Sequence, residues 1–172
     1  MLFTFTITAY LRNLNNLKGI LEKAAQWQQV GKLQDDAIMN ARLALDQFTF
    51  ARQVRAATNF AKASGEVLTE VKAPVFDDNE TSLSDLIKRV AVTIDYLTSL
   101  KEEMIRNDLE SRMIALPWVP GKGLVAKFYV EVYAHMNFMF HYTTAYSILR
   151  HYGLTIGKAD YMGEVPLLPL TS

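Results

Sequence analysis

The chain of 172 residues contains no cysteine. That removes disulfides, thiolate nucleophiles and cysteine-based metal sites together. It also carries no net charge, with 18 basic and 18 acidic residues. No basic excess points to nucleic acid, and no acidic run points to a solvating tail. A positive leader and a small-residue cleavage site are both missing from Met1-Leu-Phe-Thr-Phe-Thr-Ile-Thr, so no secretory signal is expected. The apolar stretch Leu124–Leu149 is interrupted by Lys127, Glu131, His135, Asn137 and His141, which argues against a membrane span. The expectation is a soluble, cytoplasmic protein. No Gly-x-Ser-x-Gly elbow and no Glu-x-x-His of the di-iron bundles occurs. Gly121-Lys122-Gly123 lacks the flanks of a phosphate loop.

What is present is a helical pattern. Half the residues are apolar and 21% are charged, a composition for one globular domain over 1–172. Tyr10, Leu14, Leu17, Leu21 and Ala24 recur at helical spacing, predicting a first helix from Thr6 or Thr8 to about Gln29, stopped by Gly31. A second helix is predicted from Asp35 or Asp36 to Ser64, closed by Gly65. Its inner stripe would read Met39, Leu43, Asp46, Phe50, Gln53, Ala57 and Ala61. Asp46 and Gln53 are then polar intruders on a dry face, whereas Arg55, Asn59 and Lys62 should face solvent. After a turn-rich loop over 66–80, a third helix opens at Thr81 or Ser82 with Asp85 near its positive end. Leu83, Ile87, Val90, Ile94, Leu97 and Met104 form its heptad.

Pro117, Pro120, Gly121 and Gly123 break the period between the third and fourth helices. A short extended segment over 112–118, with a turn at Pro120-Gly121, is expected in this irregular linker. The fourth helix should run from about Leu124 to Tyr152, with Gly153 as its stop. Asn137 and His141, four apart, share one face, and an amide and an imidazole there need partners. The opposite face, with His135, Phe138, Met139, Tyr142, Tyr146 and Leu149, is apolar too, so the linker, the tail or a second subunit should cover it. A homodimer is the expected assembly. The tail over 154–172 is irregular, but Leu167, Leu168 and Leu170 suggest that it follows an apolar groove.

Several stretches carry a resemblance: Asn40-Ala-Arg-Leu-Ala-Leu-Asp46, Ala51-Arg-Gln-Val54, Asn137-Phe-Met-Phe-His141, Thr144-Ala-Tyr-Ser-Ile-Leu-Arg-His-Tyr-Gly153 and Ile156-Gly-Lys-Ala-Asp160. Together they resemble the DinB-like superfamily, which includes YfiT-type and thiol-dependent transferase proteins, and within it an uncharacterised domain-of-unknown-function family. The resemblance covers nearly the whole chain. It implies an all-α, up-down-down-up four-helix bundle, often dimeric. In metal-binding members, one histidine from the second helix and two from the fourth hold a divalent ion. Here Asp46 matches the first position, Asn137 the second and His141 the third. The candidate site is therefore Asp46, Asn137 and His141, between the second and fourth helices. It would be either a degenerate nickel or zinc site or, as the stronger expectation, a metal-free one, since amides are poor ligands for these ions.

Two functions follow. The first is a transferase or hydrolase acting on a small molecule, with Asp46 and His141 as the proton-handling pair and Asn137 as an orienting donor. The second is a non-catalytic dimer that binds a small apolar ligand or a protein partner. Glu131 with His135 is a lesser metal candidate, more often a helix-surface contact.

Overall fold

The computed structural model describes residues 1–31 and 35–170. Four long helices form the body. A π-helical turn, Thr4–Thr8, leads into α1, Ala9–Gln29. After α2, Asp35–Met39, come α3, Phe50–Thr69, and α4, Leu83–Ser99. Two short strands, β1 Met113–Ala115 and β2 Gly123–Val125, pair as an antiparallel hairpin in the linker, with Ile114 opposite Leu124. The chain then enters α5, Ala126–Phe128, a π-helical stretch Tyr129–Ala134, and α6, His135–His151. A last short helix, α7, is Lys158–Met162. Among the described residues no helix is long and apolar enough to cross a membrane.

The stripe predicted for α1 is the one it buries: Tyr10, Leu14, Leu17, Leu21 and Ala24 all lie in the core. Gly31 follows its end at φ +78°, a left-handed conformation that glycine adopts without a Cβ penalty. In α4, the Ser82 hydroxyl accepts from the Asp85 N–H while the Asp85 carboxylate accepts from the Ser82 hydroxyl and, more loosely, the Thr81 N–H. The helix ends at Ser99, so Met104 is no part of its heptad. It sits exposed in a 3-10 turn.

Helix directions follow from the contacts. Thr58 and Asn59 of α3 meet Arg89 of α4, and Gly65 lies against Tyr96, Leu97 and Leu100. Both numbers rise together, so α3 and α4 run parallel. Gln53 meets His141 and Phe60 meets Tyr133, so α3 and α6 run antiparallel. Tyr10 of α1 touches Ser64 near the end of α3, and Phe5 and Tyr10 touch His135 and Phe138. The result is an up-down-down-up bundle in which α1 packs on α4, α4 on α3, α3 on α6, and α6 on α1.

The expected second helix is two helices. Between Met39 and Phe50 the chain is irregular, and α3 has its own cap, the Thr49 hydroxyl accepting from the Arg52 N–H at 3.4 Å. Leu43 is consequently exposed rather than on an inner stripe. Nor does Gly65 close the helix. It stays inside because α4 crosses here: a Cβ on Gly65 would lie 2.8 Å from Leu100 Cδ1 and 3.0 Å from Tyr96 Cε1. Glu70, at φ 64°, makes the stop instead.

Parallel neighbours cannot be joined by a tight turn. The 70–82 connection must return along the bundle, about 25 Å for a helix the length of α4. Arg89 fixes its path. This side chain is only 2% exposed. Its Nε donates to Thr58 Oγ1 at 2.7 Å, Nη1 to Asp78 Oδ1 at 2.6 Å and Glu80 Oε1 at 2.7 Å, and Nη2 to Asn59 Oδ1 at 2.8 Å and the Arg55 carbonyl at 3.5 Å. All five N–H groups of the guanidinium are thus used. Its plane also lies over Phe76, 4.2 Å from the ring centroid. Burial would raise the Glu80 carboxyl, but hydrogen bonds from Arg89, its own backbone and Arg55 outweigh it and hold the group below its ordinary value. Arg55 pairs with Glu80 at 2.6 Å and Asn59 accepts from Arg89, so neither is the free solvent-facing residue that the helical pattern predicted.

The second apolar face of α6 is covered from within the chain, by Phe5 and Tyr10 at His135 and Phe138 and by the tail at Tyr142 and Tyr146. Tyr161 of α7 stacks on Tyr142, with centroids 4.3 Å apart, and meets Tyr146 edge-on. The Tyr142 hydroxyl donates to the Tyr161 carbonyl at 2.6 Å, and Asn16 Nδ2 donates to it at 3.0 Å. Arg12 donates to the Met162 and Glu164 carbonyls, and Lys23 pairs with Asp160. The anchors in the tail are thus Leu154, Ile156 and Tyr161. Leu167 and Leu170, expected in a groove, are 86% and 99% exposed, and Leu168 is equally free. The part of the expected tail over 171–172 lies outside the described residues.

Three outcomes test this arrangement. Arg89→Met takes the donor from Thr58, Asn59 and Asp78 and leaves Glu80 with Arg55 alone, and should lower unfolding stability by about 3–5 kcal/mol in urea. Lys127→Met, which breaks the exposed pair with Glu110, should leave the urea midpoint essentially unchanged, because water and salt screen an exposed ion pair. Tyr161→Ala, which removes the stack and the seat of α7, should cost about 2 kcal/mol.

Candidate functional site

His141 is delivered to the α3–α6 interface by the helix that carries it and is 8% exposed. Its Nδ1 lies 2.6 Å from Gln53 Oε1. Gln53, wholly buried on the inner side of α3, donates its amide N–H to the Phe48 carbonyl at 3.2 Å. That second bond orients the amide: with Nε2 toward a carbonyl, Oε1 must face the imidazole. An oxygen acceptor there requires the proton on Nδ1. Nε2 is then the ring nitrogen with the open lone pair, and it has no hydrogen-bond partner among the described residues.

Aromatic rings frame the imidazole. Phe48 and Phe60 stack nearly parallel to it, with centroids at 5.8 and 5.9 Å, and Phe140 meets it edge-on at 5.3 Å. The ring contacts continue from Phe60 to Tyr133 and from Tyr133 to Trp118. Arg52 lies over the outer face of the series, 3.7 Å from the Phe48 centroid. Burial among these groups lowers the His141 pKa from its ordinary 6.5 to about 4. The ring is therefore neutral at pH 7 and serves as an acceptor at Nε2.

The structure brings only part of the expected triad together. Asp46 is exposed in the irregular segment before α3 and makes no hydrogen bond or ion pair with His141. The reason is the helix break, which lets the carboxylate stay hydrated instead of bearing the cost of an apolar interior. Asn137 is half-buried one turn before His141, but its Nδ2 donates to the Tyr133 carbonyl of its own helix at 2.7 Å. The polar partner of His141 is Gln53, which the stripe analysis marked as an intruder without assigning it a role. Its position on the apolar stripe between Phe50 and Ala57 was the available signal. The flanking Phe48 and Phe60 lie off that stripe and gave none.

A nickel or zinc ion does not fit this donor set. Among the described residues no group of three or more His, Asp or Glu side chains is placed to hold a metal. The polar side chain bonded to His141 is the Gln53 amide, which already occupies Nδ1, and its other neighbours named above are aromatic rings. Glu131 and His135 form no pair either. The His135 ring stacks on Phe5 at 4.9 Å, its Nδ1 is buried without a partner, and burial lowers its pKa.

An open cleft of about 610 Å³ lies elsewhere, lined by Leu2, Phe5, Arg106, Leu109, Lys127 and Glu131. It is ten residues back along the helix from His141, about 15 Å. Its cations are already neutralised, Arg106 by Glu70 and Asp108 and Lys127 by Glu110. The cleft therefore offers no free anion site.

The comparisons with known proteins bear on the family and the fold. Residues 2–162 match a family model described as a domain of unknown function, DUF1993. A crystal structure of a DinB family member protein from Shewanella denitrificans superposes with a TM-score of 0.89 and 37% sequence identity, over 99% of this chain and 96% of that one. Among curated proteins nothing matches the chain. A bundle with parallel central helices, a family match over almost its whole length and this structural likeness together mean that the chain belongs to the DUF1993 family of DinB-like four-helix bundles.

Proposed function

We propose that this DinB-like domain binds a small molecule without a metal, at His141 between α3 and α6. The observation that supports it is the fixed tautomer: Gln53 holds Nδ1–H at 2.6 Å and leaves Nε2 as an unpaired acceptor within an aromatic frame. Such a frame suits a compact, largely apolar molecule with one O–H, N–H or S–H donor. The amide, the imidazole, Phe60 and Phe140 come from α3 and α6, which holds them in place before the ligand arrives, while Phe48 comes from the segment just before α3.

A transferase or hydrolase activity is the second reading, favoured by the same open Nε2. There His141 would take a proton from the nucleophile and Gln53 would keep the ring oriented. The low pKa of the ring weighs against it, because a base near 4 holds a proton poorly at pH 7. No carboxylate stands beside the ring to raise that value.

Three measurements test the proposal. Phenol, a probe with a planar apolar body and one donor, should shift the amide resonances of Phe48, Gln53, Phe60 and His141 in the wild-type chain and leave those of His141→Ala unmoved. No localised shift in a folded wild-type protein would sink the reading. Nickel and zinc at about one hundred times a micromolar dissociation constant should leave the melting temperature unchanged, whereas a real site would add about 2.7 kcal/mol.

The third measurement is pH dependence. The folded pKa of His141 lies below the unfolded one, so the unfolded state binds the extra proton between 6.5 and 4. Its contribution is intact above pH 6.5 and is lost as the pH falls toward 4. His141→Gln should flatten the stability profile over that window relative to wild type.

A further inference from the structure

The cleft beside the Thr4–Thr8 turn holds a carboxylate with no cation of its own. Arg106 there is matched by Glu70 and Asp108, and Lys127 by Glu110. Glu131 is half-buried in the same cleft and makes no hydrogen bond or ion pair among the described residues. The Lys127 ammonium lies near it, but Glu110 holds that ammonium at 2.6 Å. This hydrogen bond first, and the charge of Glu131 after it, raise the Lys127 pKa. The floor of the cleft is apolar. Leu109 is buried and Leu2 half-buried. Phe5 rests one ring face on His135, with centroids 4.9 Å apart, and stays 53% exposed where it lines the cleft.

The backbone is unusual at the same place. Phe5 belongs to the π-helical stretch Thr4–Thr8 and Glu131 to the π-helical stretch Tyr129–Ala134, and the two pack on each other. Among the described residues these are the two π-helical stretches. Such turns are rare in proteins and recur at functional sites. Here they carry an exposed ring and an unmatched carboxylate into one cavity of about 610 Å³, a size ordinary for small-molecule sites.

We propose that this cleft binds a small organic cation, a primary ammonium on a compact apolar or aromatic body. The ammonium donates to the Glu131 carboxylate while the apolar body lies on Phe5, Leu2 and Leu109. The side-chain carbonyl of Asn107, at the exposed rim, offers an acceptor for a second of its three N–H groups. The Phe5 ring adds attraction, because an aromatic face draws a cation through its quadrupole. His135 behind that ring does not oppose it, since burial lowers the His135 pKa and keeps the imidazole neutral at pH 7. An anion is the poorer ligand. It would meet the charge of Glu131 and would have to displace a carboxylate from Arg106 or Lys127. A metal ion is poorer too, because hard cations need more oxygen donors than one carboxylate and one amide. This site lies apart from His141 and does not rest on the reading of that histidine.

Benzylammonium is the probe, with benzyl alcohol and benzoate as controls of nearly the same shape. In the full chain at low salt, benzylammonium should shift the amide resonances of Phe5, Asn107, Leu109 and Glu131 saturably. Benzyl alcohol should bind at least about tenfold more weakly, since it loses the charge-assisted bond. Benzoate should move none of these resonances. Glu131→Gln should cut the benzylammonium affinity at least about tenfold while leaving the circular dichroism unchanged. The absence of a localised shift up to about 50 mM benzylammonium overturns the inference. So does benzyl alcohol binding as tightly as benzylammonium, benzoate binding at these residues, or a folded Glu131→Gln chain that binds as wild type does. The three-probe comparison uses the wild-type chain alone, so it decides even where the variant fails to fold. Its resonances are not those read for His141, so the two sites fail separately.

Discussion

The parallel run of α3 and α4 is the constraint from which the rest follows. Two parallel neighbours need a long return connection, and Arg89 is what holds that connection down. Its guanidinium is buried, and a buried cation is tolerable only when every donor is satisfied. Here two side chains of α3, a carbonyl of α3 and two carboxylates of the crossover segment satisfy all five. The network sets the height and rotation of α3 against α4. That rotation leaves the opposite side of α3, with Gln53 and Phe60, for α6.

The site is a consequence of that placement. Gln53 can fix the tautomer of His141 only because α3 presents it to α6 and because the Phe48 carbonyl takes its other end. The interior supplies rings rather than charges around the imidazole, and burial does the rest by keeping it neutral. A site of this kind is suited to accepting a hydrogen bond from something apolar. It is poorly suited to ligating a metal, which needs several anionic or imidazole donors converging on one point.

Periodicity made most of the bundle legible. The stripe of α1, the Ser82–Asp85 cap, the turn at Pro120-Gly121 and the stop at Gly153 all rest on interactions within a few residues of each other; of the predicted α4 heptad only Leu83, Val90 and Leu97 are fully buried, beside Leu86, Arg89, Thr93 and Tyr96. The break between Met39 and Phe50 was not legible, because Leu43 and Asp46 continue a helical spacing although the chain there is irregular. Gly65 misled for a related reason. As a sequence symbol it reads as a terminator, yet its missing Cβ serves the close approach of Leu100, thirty-five positions later.

The sequence by itself determined that this is an all-helical bundle and that His141 lies on a buried face, since apolar spacing along one helix is a local property. It also singled out Gln53 as polar on a dry stripe. Only the tertiary structure decided that Gln53 rather than Asp46 meets His141, that Arg89 is interior, and that the tail covers Tyr142 while Phe128, Val132, Met136 and Phe140 stay bare. Each of these depends on how one helix is rotated against another. That rotation is set by side chains far apart in the chain, which no spacing along a single segment encodes.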